Sequence, residues 1–487
     1  MEMMRVLLIN PPRMLSVDRF PTASPPLTLG YIGAMLQNEF QVQIIDCVAE
    51  GISNKKYLSK ELNLWGIDSD ELKMRITRFE PQIVGILSDE SSQDEMVDQV
   101  AEVYKEYSRQ VGRQILTVTM GDHSSAGPKQ MLKKRHVDFA ITGEAELPFY
   151  QLCKAISGGQ DYTKINALAY RNSKGKPMVN EKKQIVKDID QLPFPARHLM
   201  PMEAYYKAGC YFTPRAKPFT NMILTRGCGN NCLFCPIPEN YGNRTRVRSP
   251  QNVMEEILML VQHFGIKEIY FEDDNLLWNL EYTYELCQRL TSAELDLIWS
   301  CPLGIVVRGY NRRVLVEMKK SGCYSLTLNL ESGSDRILGD IINSPNDRDI
   351  VINFIKDLKK LGIQVMGKFR VGWPYENRQE IKETYNFIAD LHLDGFSVTA
   401  AVPYPGTPFW EKCIKEELFA KPFKFREYLT NQFFINSTNF TVEGLPVLME
   451  EAEKNLHKKL QKSGGGQIMD SIGGLLGKVM HLGREEK

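Results

Sequence analysis

The chain contains 487 residues, of which 43% are hydrophobic and 25% are charged, enough for two or three domains with sizeable cores. Its 60 basic residues balance 60 acidic residues, so the formal net charge is zero and no general basic field exists to attract nucleic acid. Ten cysteines are too few for a disulfide framework in a chain of this length, and no apolar run is long enough to predict a transmembrane segment. These features predict a cytoplasmic protein without a nucleic-acid partner.

Short apolar runs alternate with amphipathic stretches over residues 1–150, the pattern of a doubly wound (Rossmann-like) parallel sheet. The predicted strands are 6–9, 42–45, 83–87, 115–120 and 139–142, and the predicted helices are 27–37 and 92–110. Such sheets bind ligands beyond the carboxyl ends of their strands, so the candidate loops are 10–26, 88–92, 121–127 and 143–146. No GxGxxG motif follows the first strand, and Pro11 and Pro12 would obstruct such a turn, which argues against a nicotinamide cofactor.

Residues 151–215 carry many turn signals and are predicted to form a connector with a small hairpin at 168–179. Strands and helices alternate again over residues 216–410. The predicted strands lie near residues 221, 267, 298, 326, 363 and 396, and the helices between them include 250–263, 347–361 and 378–391. This alternation predicts a partial (β/α)6 barrel with its chemistry at the carboxyl ends of the strands. Residues 411–487 are predicted to form a small helical region that includes 446–462 and an amphipathic stretch at 468–481.

Cys228, Cys232 and Cys235 form a CxxxCxxC array on a turn-rich loop after the apolar run 222–224. Thiolates are soft ligands, and three of them can hold three corners of a 4Fe-4S cluster while one iron stays open to a substrate or cofactor. The alternative is a structural zinc site. Such a site normally has four protein ligands, and no fourth Cys or His lies near the array. The spacing therefore favours an iron–sulfur cluster, and the absence of a further cysteine motif argues against a second one.

With an aromatic residue, Phe234, directly before the third cysteine, the array resembles the signature of radical S-adenosylmethionine (SAM) enzymes. The downstream segments 246–257, 271–275, 329–334, 371–376 and 403–408 resemble successive landmarks of that family, in its order. The upstream segments 8–13, 24–30 and 142–146 resemble the cobalamin-binding domain fused to one large subgroup, the cobalamin-dependent radical SAM methyltransferases among them. The resemblance covers about 400 residues. It implies three cofactors: a 4Fe-4S cluster, SAM and cobalamin.

The resemblance also implies roles for strand-end residues. Phe234 would pack against the adenine of SAM, Asp273 or Asp274 would approach SAM, and Glu331 and Ser332 would contact its polar groups. The alternative for these acids is an ordinary solvent-facing loop. One of the basic residues Arg244, Arg246 and Arg248 could bind a carboxylate, while a solvated loop is favoured for the others. Cys301, at the presumed end of the third strand, is either a second catalytic thiol or, as is more usual for free cysteines, a buried core residue.

For cobalamin, the resemblance points to residues in the predicted loops of the first domain: Pro12, Arg13, Ser88, Ser91, Gly121, Asp122, His123, Gly143 and Glu144. Cobalamin domains that ligate cobalt through histidine carry Asp-x-His-x-x-Gly, whereas here Asp122 and His123 are adjacent. We therefore expect His123 to contact the cofactor's tail or to be structural, with no histidine on cobalt. A degenerate domain without cobalamin remains the alternative.

The function implied by the resemblance is methyl transfer from methylcobalamin to an unactivated carbon or phosphorus through a 5′-deoxyadenosyl radical. An external electron donor such as flavodoxin or ferredoxin would reduce the cluster. One alternative is a radical SAM cyclase or oxidase acting on a tetrapyrrole or lipid, and another is a cobalamin- or redox-sensing binding protein. No catalytic side chain is assigned. The substrate is left open as a protein side chain, peptide, small molecule or lipid.

Overall fold

The computed structural model describes residues 3–182, 185–273 and 275–462. Its first unit is a seven-stranded sheet in which five strands run parallel, in the order β3-β1-β6-β7-β8, and β9 and β10 continue it antiparallel. The strands of this unit are β1 (Arg5–Asn10), β2 (Arg13–Ser16), β3 (Gln41–Asp46), β4 (Lys55–Tyr57), β5 (Leu62–Trp65), β6 (Ile83–Leu87), β7 (Leu116–Met120), β8 (Phe139–Ile141), β9 (Leu168–Arg171) and β10 (Pro177–Val179). A small antiparallel sheet, β2-β5-β4, lies beside it.

Both faces of the parallel sheet are buried, as its apolar strands predict. Val6 and Leu8 of β1 pack with helices on one face, while Leu7 and Ile9 pack with helices on the other. The helices of this unit are α1 (Leu27–Leu36), α2 (Cys47–Glu50), α3 (Ser69–Phe79), α4 (Asp94–Val111), α5 (Asp122–Ala126), α6 (Pro128–Met131), α7 (Glu146–Ser157) and α8 (Met202–Ala208). The strand order reverses between β1 and β6, which is where doubly wound sheets bind their ligands.

Residues 151–215, predicted to be a connector, contribute two strands and a helix to the first unit. The predicted hairpin is present as β9 and β10, but it extends the first sheet beyond residue 150, and Tyr205 of α8 packs in the core of that unit. The first unit therefore draws on chain that the sequence assigned to a connector.

The second unit is a six-stranded parallel sheet in the sequential order β11-β14-β15-β16-β17-β18. Its ends do not pair, so among the described residues the barrel is open, as predicted for a partial (β/α)6 fold. Its strands are β11 (Phe219–Met222), β12 (Thr225–Arg226), β13 (Arg246–Val247), β14 (Glu268–Phe271), β15 (Ile298–Ile305), β16 (Cys323–Glu331), β17 (Gln364–Val371) and β18 (Gly395–Ala400), of which β12 and β13 form a separate two-stranded ladder. Its helices are α9 (Ile237–Tyr241), α10 (Pro250–Phe264), α11 (Leu280–Ser292), α12 (Arg312–Lys320), α13 (Arg348–Lys360), α14 (Arg378–Asp390) and α15 (Pro408–Lys415).

Beyond the barrel, α16 (Gly444–Lys462) packs its apolar residues into the barrel core, including Met449 and Leu456. This helix matches the predicted helix 446–462. The amphipathic stretch 468–481 lies outside the described residues. Within the described part of the chain, no helix is long and apolar enough to cross a membrane.

Candidate active site

The cysteine loop leaves the end of β11 and is fastened by Asp273. One oxygen of this buried carboxylate accepts hydrogen bonds from the backbone N–H of Leu224 at 2.9 Å and from the N–H and hydroxyl of Thr225 at 2.6 and 2.8 Å. Gly227 follows with φ +78°, and a Cβ there would lie 2.6 Å from the carbonyl oxygen of Arg244, so only glycine fits this turn. Asp273 thus sets the start of the loop.

The three cysteines of this loop differ in burial. Cys228 and Cys232 are buried and Cys235 is partly exposed. Burial, followed by the charge of Glu331, raises the pKa of Cys232 to about 12. Three soft donors on one loop suit an iron–sulfur cluster, whose irons would keep the thiols deprotonated. Among the described residues, no three His, Cys, Asp or Glu side chains are grouped so as to hold a metal ion.

Next to the cysteines, Phe234, Glu331 and Arg370 form a continuous contact. Glu331 is buried at the end of β16, in the left-handed region at φ +65°, and forms an ion pair with Arg370. The Arg370 guanidinium lies 4.7 Å from the centre of the Phe234 ring, which also packs against Trp373 at 5.4 Å. Two of the residues expected near SAM therefore lie together beside the cysteine loop. Arg370 joins them and was not anticipated.

The other residues expected at SAM have different surroundings. Ser332 is fully buried, and its hydroxyl pairs with the Thr384 hydroxyl at 3.1 Å and accepts from the Ser334 N–H at 3.1 Å. Asp273 is engaged with the cysteine loop. Asp274 lies outside the described residues. Glu272, at the end of the same strand, lines a cavity of the protein and accepts a hydrogen bond from the Asn221 side-chain amide at 2.9 Å.

A cavity of about 640 Å³ lies between the carboxyl edge of the first sheet and the mouth of the barrel, at the point where the strand order reverses. All the residues expected at cobalamin line it except Ser91 and His123. The barrel contributes Thr225, Arg226, Ile237 and Tyr241, which flank the cysteines in sequence. The cavity therefore touches both the loops of the first domain and the cysteine loop.

Both ring nitrogens of His123 are occupied by protein partners. Nδ1 lies 2.8 Å from the Ser91 hydroxyl and Nε2 lies 2.9 Å from an Asp94 oxygen. The ring is buried and packs edge-on against Phe425 at 5.3 Å. No nitrogen of His123 is available to a metal in this arrangement. These contacts indicate that His123 has a structural role.

Ion pairs join the first domain to the cysteine loop. Arg226 binds Glu146 at 2.6 Å and Glu144 at 3.5 Å, and Arg246 binds Glu144 at 2.7 Å. These side chains are buried or nearly so, so the contacts form in a low dielectric. One of Arg244, Arg246 and Arg248 was expected to bind a carboxylate and the others to be solvated, but two bind carboxylates: Arg246, and Arg248, whose buried guanidinium binds Glu256 at 2.5 Å.

The cavity wall is rich in hydrogen-bond acceptors. Asp122 accepts from the amide of Asn240 and the hydroxyl of Tyr241, again linking the two domains. Enclosure by protein atoms and the neighbouring Asp122 raise the pKa of Asp89, which also lines the cavity, to about 7. The buried hydroxyl of Ser88 lacks any partner within the described chain. Such a wall suits a large ligand with many amide N–H donors, as cobalamin has, and so the residues present fit this cofactor.

Cys301 is a buried core residue, the second of the two alternatives given for it. Its side chain is fully buried in the hydrophobic layer between the barrel strands and their helices, and burial raises its pKa well above the usual range. The thiol is a core residue that faces away from the interior of the barrel.

Comparisons with known proteins identify the family of this chain. The family model described as the radical SAM superfamily matches residues 222–388. The chain is 31% identical over 485 residues to an uncharacterized methyltransferase of Pyrococcus horikoshii, covering 98% of this chain and 99% of that protein. It is 27% identical over 443 residues to the cytidylyl-2-hydroxyethylphosphonate methyltransferase of Streptomyces wedmorensis, covering 85% of this chain and 82% of the relative.

A solved structure shares the fold. The radical SAM methyltransferase TsrM of Kitasatospora setae, with cobalamin and a 4Fe-4S cluster bound, matches with a TM-score of 0.66 at 15% identity, covering 85% of this chain and 75% of that one. The predicted fold class, a doubly wound domain followed by a partial barrel, is confirmed.

Proposed function

The chain belongs to the radical SAM superfamily, and on that premise we propose that it is a cobalamin-dependent methyltransferase that alkylates an unactivated carbon or phosphorus. The relatives support the reaction type, since one is a phosphonate methyltransferase and another carries the name methyltransferase. The cavity between the two domains supports cobalamin, because its wall fits an amide-bearing cofactor.

When bound, the cluster would supply an electron to cleave SAM and cobalamin would supply the methyl group, with the difficult chemistry left to the cofactors. The chain's residues hold and orient them. Cys228, Cys232 and Cys235 would ligate the cluster. Phe234 and Glu331 would position SAM. The acceptors around the cavity would bind the amide groups of cobalamin.

One observation carries the proposal: the cavity lined by most of the residues expected at cobalamin also reaches the residues that flank the three cysteines. Thr225 and Arg226 precede the cysteines, and Ile237 and Tyr241 follow them, yet all four line the cavity together with Ser88 and Gly121 of the first sheet. A substrate between the sites could therefore meet the radical and the methyl donor without moving. Methyl transfer requires such proximity, because reacting groups must be held within contact distance.

Cluster thiolates need a reducing environment, which supports a cytoplasmic setting and a soluble one-electron donor such as flavodoxin or ferredoxin. The substrate class is taken up in the next section.

The test is product analysis on reconstituted, reduced protein given SAM labelled in its methyl group. Methyl transfer should yield S-adenosylhomocysteine as well as 5′-deoxyadenosine, because one SAM supplies the methyl and another the radical. A radical cyclase or oxidase would yield 5′-deoxyadenosine alone. Cytidylyl-2-hydroxyethylphosphonate, the substrate in the name of the Streptomyces relative, is the first compound to try. Deoxyadenosine that accumulates while the methyl label is found only in methionine, the co-product of SAM cleavage, would refute methyl transfer.

A further inference from the structure

The inner wall of the barrel carries a row of three polar side chains that bind no other side chain of the described residues. Strand register aligns Asn329 of β16 with Lys368 of β17 and Lys368 with Ser397 of β18. Alternate residues of these strands, such as Leu328 and Phe369, lie in the core beneath the helices. Since side chains alternate along a strand, the row faces the interior of the barrel.

Lys368 is held in place by an irregularity in the neighbouring strand. The register of β15 shifts between Cys301 and Ile305, and the Lys368 Nζ donates to the carbonyl oxygens of Pro302 at 3.2 Å and Leu303 at 2.8 Å within this bulge. Bulges recur at barrel rims and beside active sites, where they re-aim groups. Two carbonyls therefore fix the ammonium group and leave its third N–H bond unused.

Lys368 forms no ion pair among the described residues. Arg370, one step further along the inner face, is paired with Glu331, whereas no carboxylate of the described chain forms an ion pair with Lys368. Burial and the nearby Arg370 lower the pKa of Lys368. The Glu331 carboxylate acts on Lys368 but forms its ion pair with Arg370. A half-buried cation without an ion pair of its own is costly, and the cost is relieved when an anion binds.

The polar side chains beside Lys368 are also able to bind a ligand. Ser397 is exposed to the interior, Asn329 and Thr399 are half-buried, and their side chains make no hydrogen bond to any described residue. Register places Thr399 next to Arg370. An ammonium group flanked by an amide and two hydroxyls is suited to an oxyanion, since each can donate to one of its oxygens.

Resting on the methyltransferase function proposed above, we propose that Lys368, with Asn329 and Ser397, binds an anionic group of the substrate, a phosphoryl or carboxylate group. The substrate is then an anionic molecule whose charged end lies on the inner wall of β16 to β18. Its reacting atom lies towards the cysteine loop and the cavity, because Arg370 links this wall to Phe234.

The test is calorimetric titration of the anaerobic holoenzyme, loaded with cluster and cobalamin and saturated with SAM. Three probes of similar size are compared: ethylphosphonate, propionate and 1-propanol. The two anions should bind and the alcohol should not, and the tighter anion identifies the substrate's group. Lys368→Met should weaken anion binding by about 10- to 100-fold, because a charge-assisted hydrogen bond is lost.

Lys319→Met is the matched control. The Lys319 ammonium also donates to a backbone carbonyl, that of Gly362, but on the exposed surface, so this variant should bind like the wild type. Ser397→Ala removes a hydroxyl that no described group uses and should weaken binding by about 2- to 10-fold without disturbing the fold. It keeps the proposal testable if the lysine variant does not fold.

The inference is overturned if 1-propanol binds as tightly as the anions or if both Lys368→Met and Ser397→Ala bind like the wild type. It is also overturned if the anions bind only when SAM is left out, which shows that SAM competes with them. Competition would assign the wall to the carboxylate of SAM. Product analysis on the same wild-type preparation separates the two proposals. Protein that yields S-adenosylhomocysteine and deoxyadenosine but binds no anion retains the methyltransferase function without the anionic substrate.

Discussion

Replacing Asp273 by Ala distinguishes a carboxylate that contacts SAM from one that builds the cysteine loop. The structure gives Asp273 three short hydrogen bonds to Leu224 and Thr225, all buried. A hydrogen bond to a charged group contributes about 1.5–3 kcal/mol, and the replacement also leaves two buried N–H groups without an acceptor. Because the three bonds share one carboxylate oxygen, we expect a combined loss of about 3–5 kcal/mol rather than their full sum.

We therefore expect Asp273→Ala to lose iron, measured per chain after anaerobic reconstitution, and to melt at a lower temperature. Thr225→Val removes only the hydroxyl bond and should cost about 1 kcal/mol with most of the iron retained. Glu272→Gln, one residue away and facing the cavity, should keep full iron. If Asp273→Ala holds full iron and melts like the wild type but forms no 5′-deoxyadenosine, the carboxylate acts on SAM, as the family resemblance implies, and the structural role is refuted.

Three further outcomes are expected. Replacing Cys228, Cys232 and Cys235 by Ala should abolish the charge-transfer absorption of a 4Fe-4S cluster, whereas stoichiometric zinc in anaerobically purified wild type would contradict the cluster. His123→Ala should leave the cobalt spectrum unchanged and lower stability by about 1–3 kcal/mol; loss of a nitrogen superhyperfine signal in the cob(II)alamin form would instead make His123 a ligand. Burial raises the pKa of Glu376 to about 8, so the folded state holds this proton more tightly than the unfolded state. Stability should fall as the pH rises from about 4.5 to about 8, and Glu376→Gln should flatten that profile in thermal melts; an unchanged slope would exclude Glu376 as its source.

The strands were predictable because parallel strands buried on both faces appear as short apolar runs. All five strands predicted for the first sheet are present, and so are the six of the barrel. The sequence did not predict that β9 and β10 pair with β8. Pairing at a sheet edge depends on backbone groups, which any residue supplies. Turn signals therefore predict that the two strands of a hairpin pair with each other, but not which sheet the hairpin joins.

The sequence predicted the positions of the candidate loops more precisely than the contacts of individual side chains in them. Cysteine spacing located the loop, and loops after parallel strands located most of the cavity wall. The sequence could not tell which atoms of a strand-end acid face the site. Asp273 and Ser332 follow strands as expected, yet Asp273 binds the loop backbone and Ser332 binds Thr384. Arg370 could have been predicted to face the interior of the barrel from one feature of the sequence, the alternation of polar and apolar residues along β17.

The cysteine loop is held from two sides, and this ties the geometry of the reaction to the packing of the domains. Asp273 fastens the loop to the barrel through Thr225, while the next residue, Arg226, binds Glu146 and Glu144 of the first domain. Thr225 and Arg226, which are adjacent, thus attach the loop with the three cysteines to both domains. A shift of either domain would move the loop relative to the cavity. Because near-contact distances are needed for transfer, the buried ion pairs of Arg226 matter as much to the proposed reaction as the residues that line the cavity.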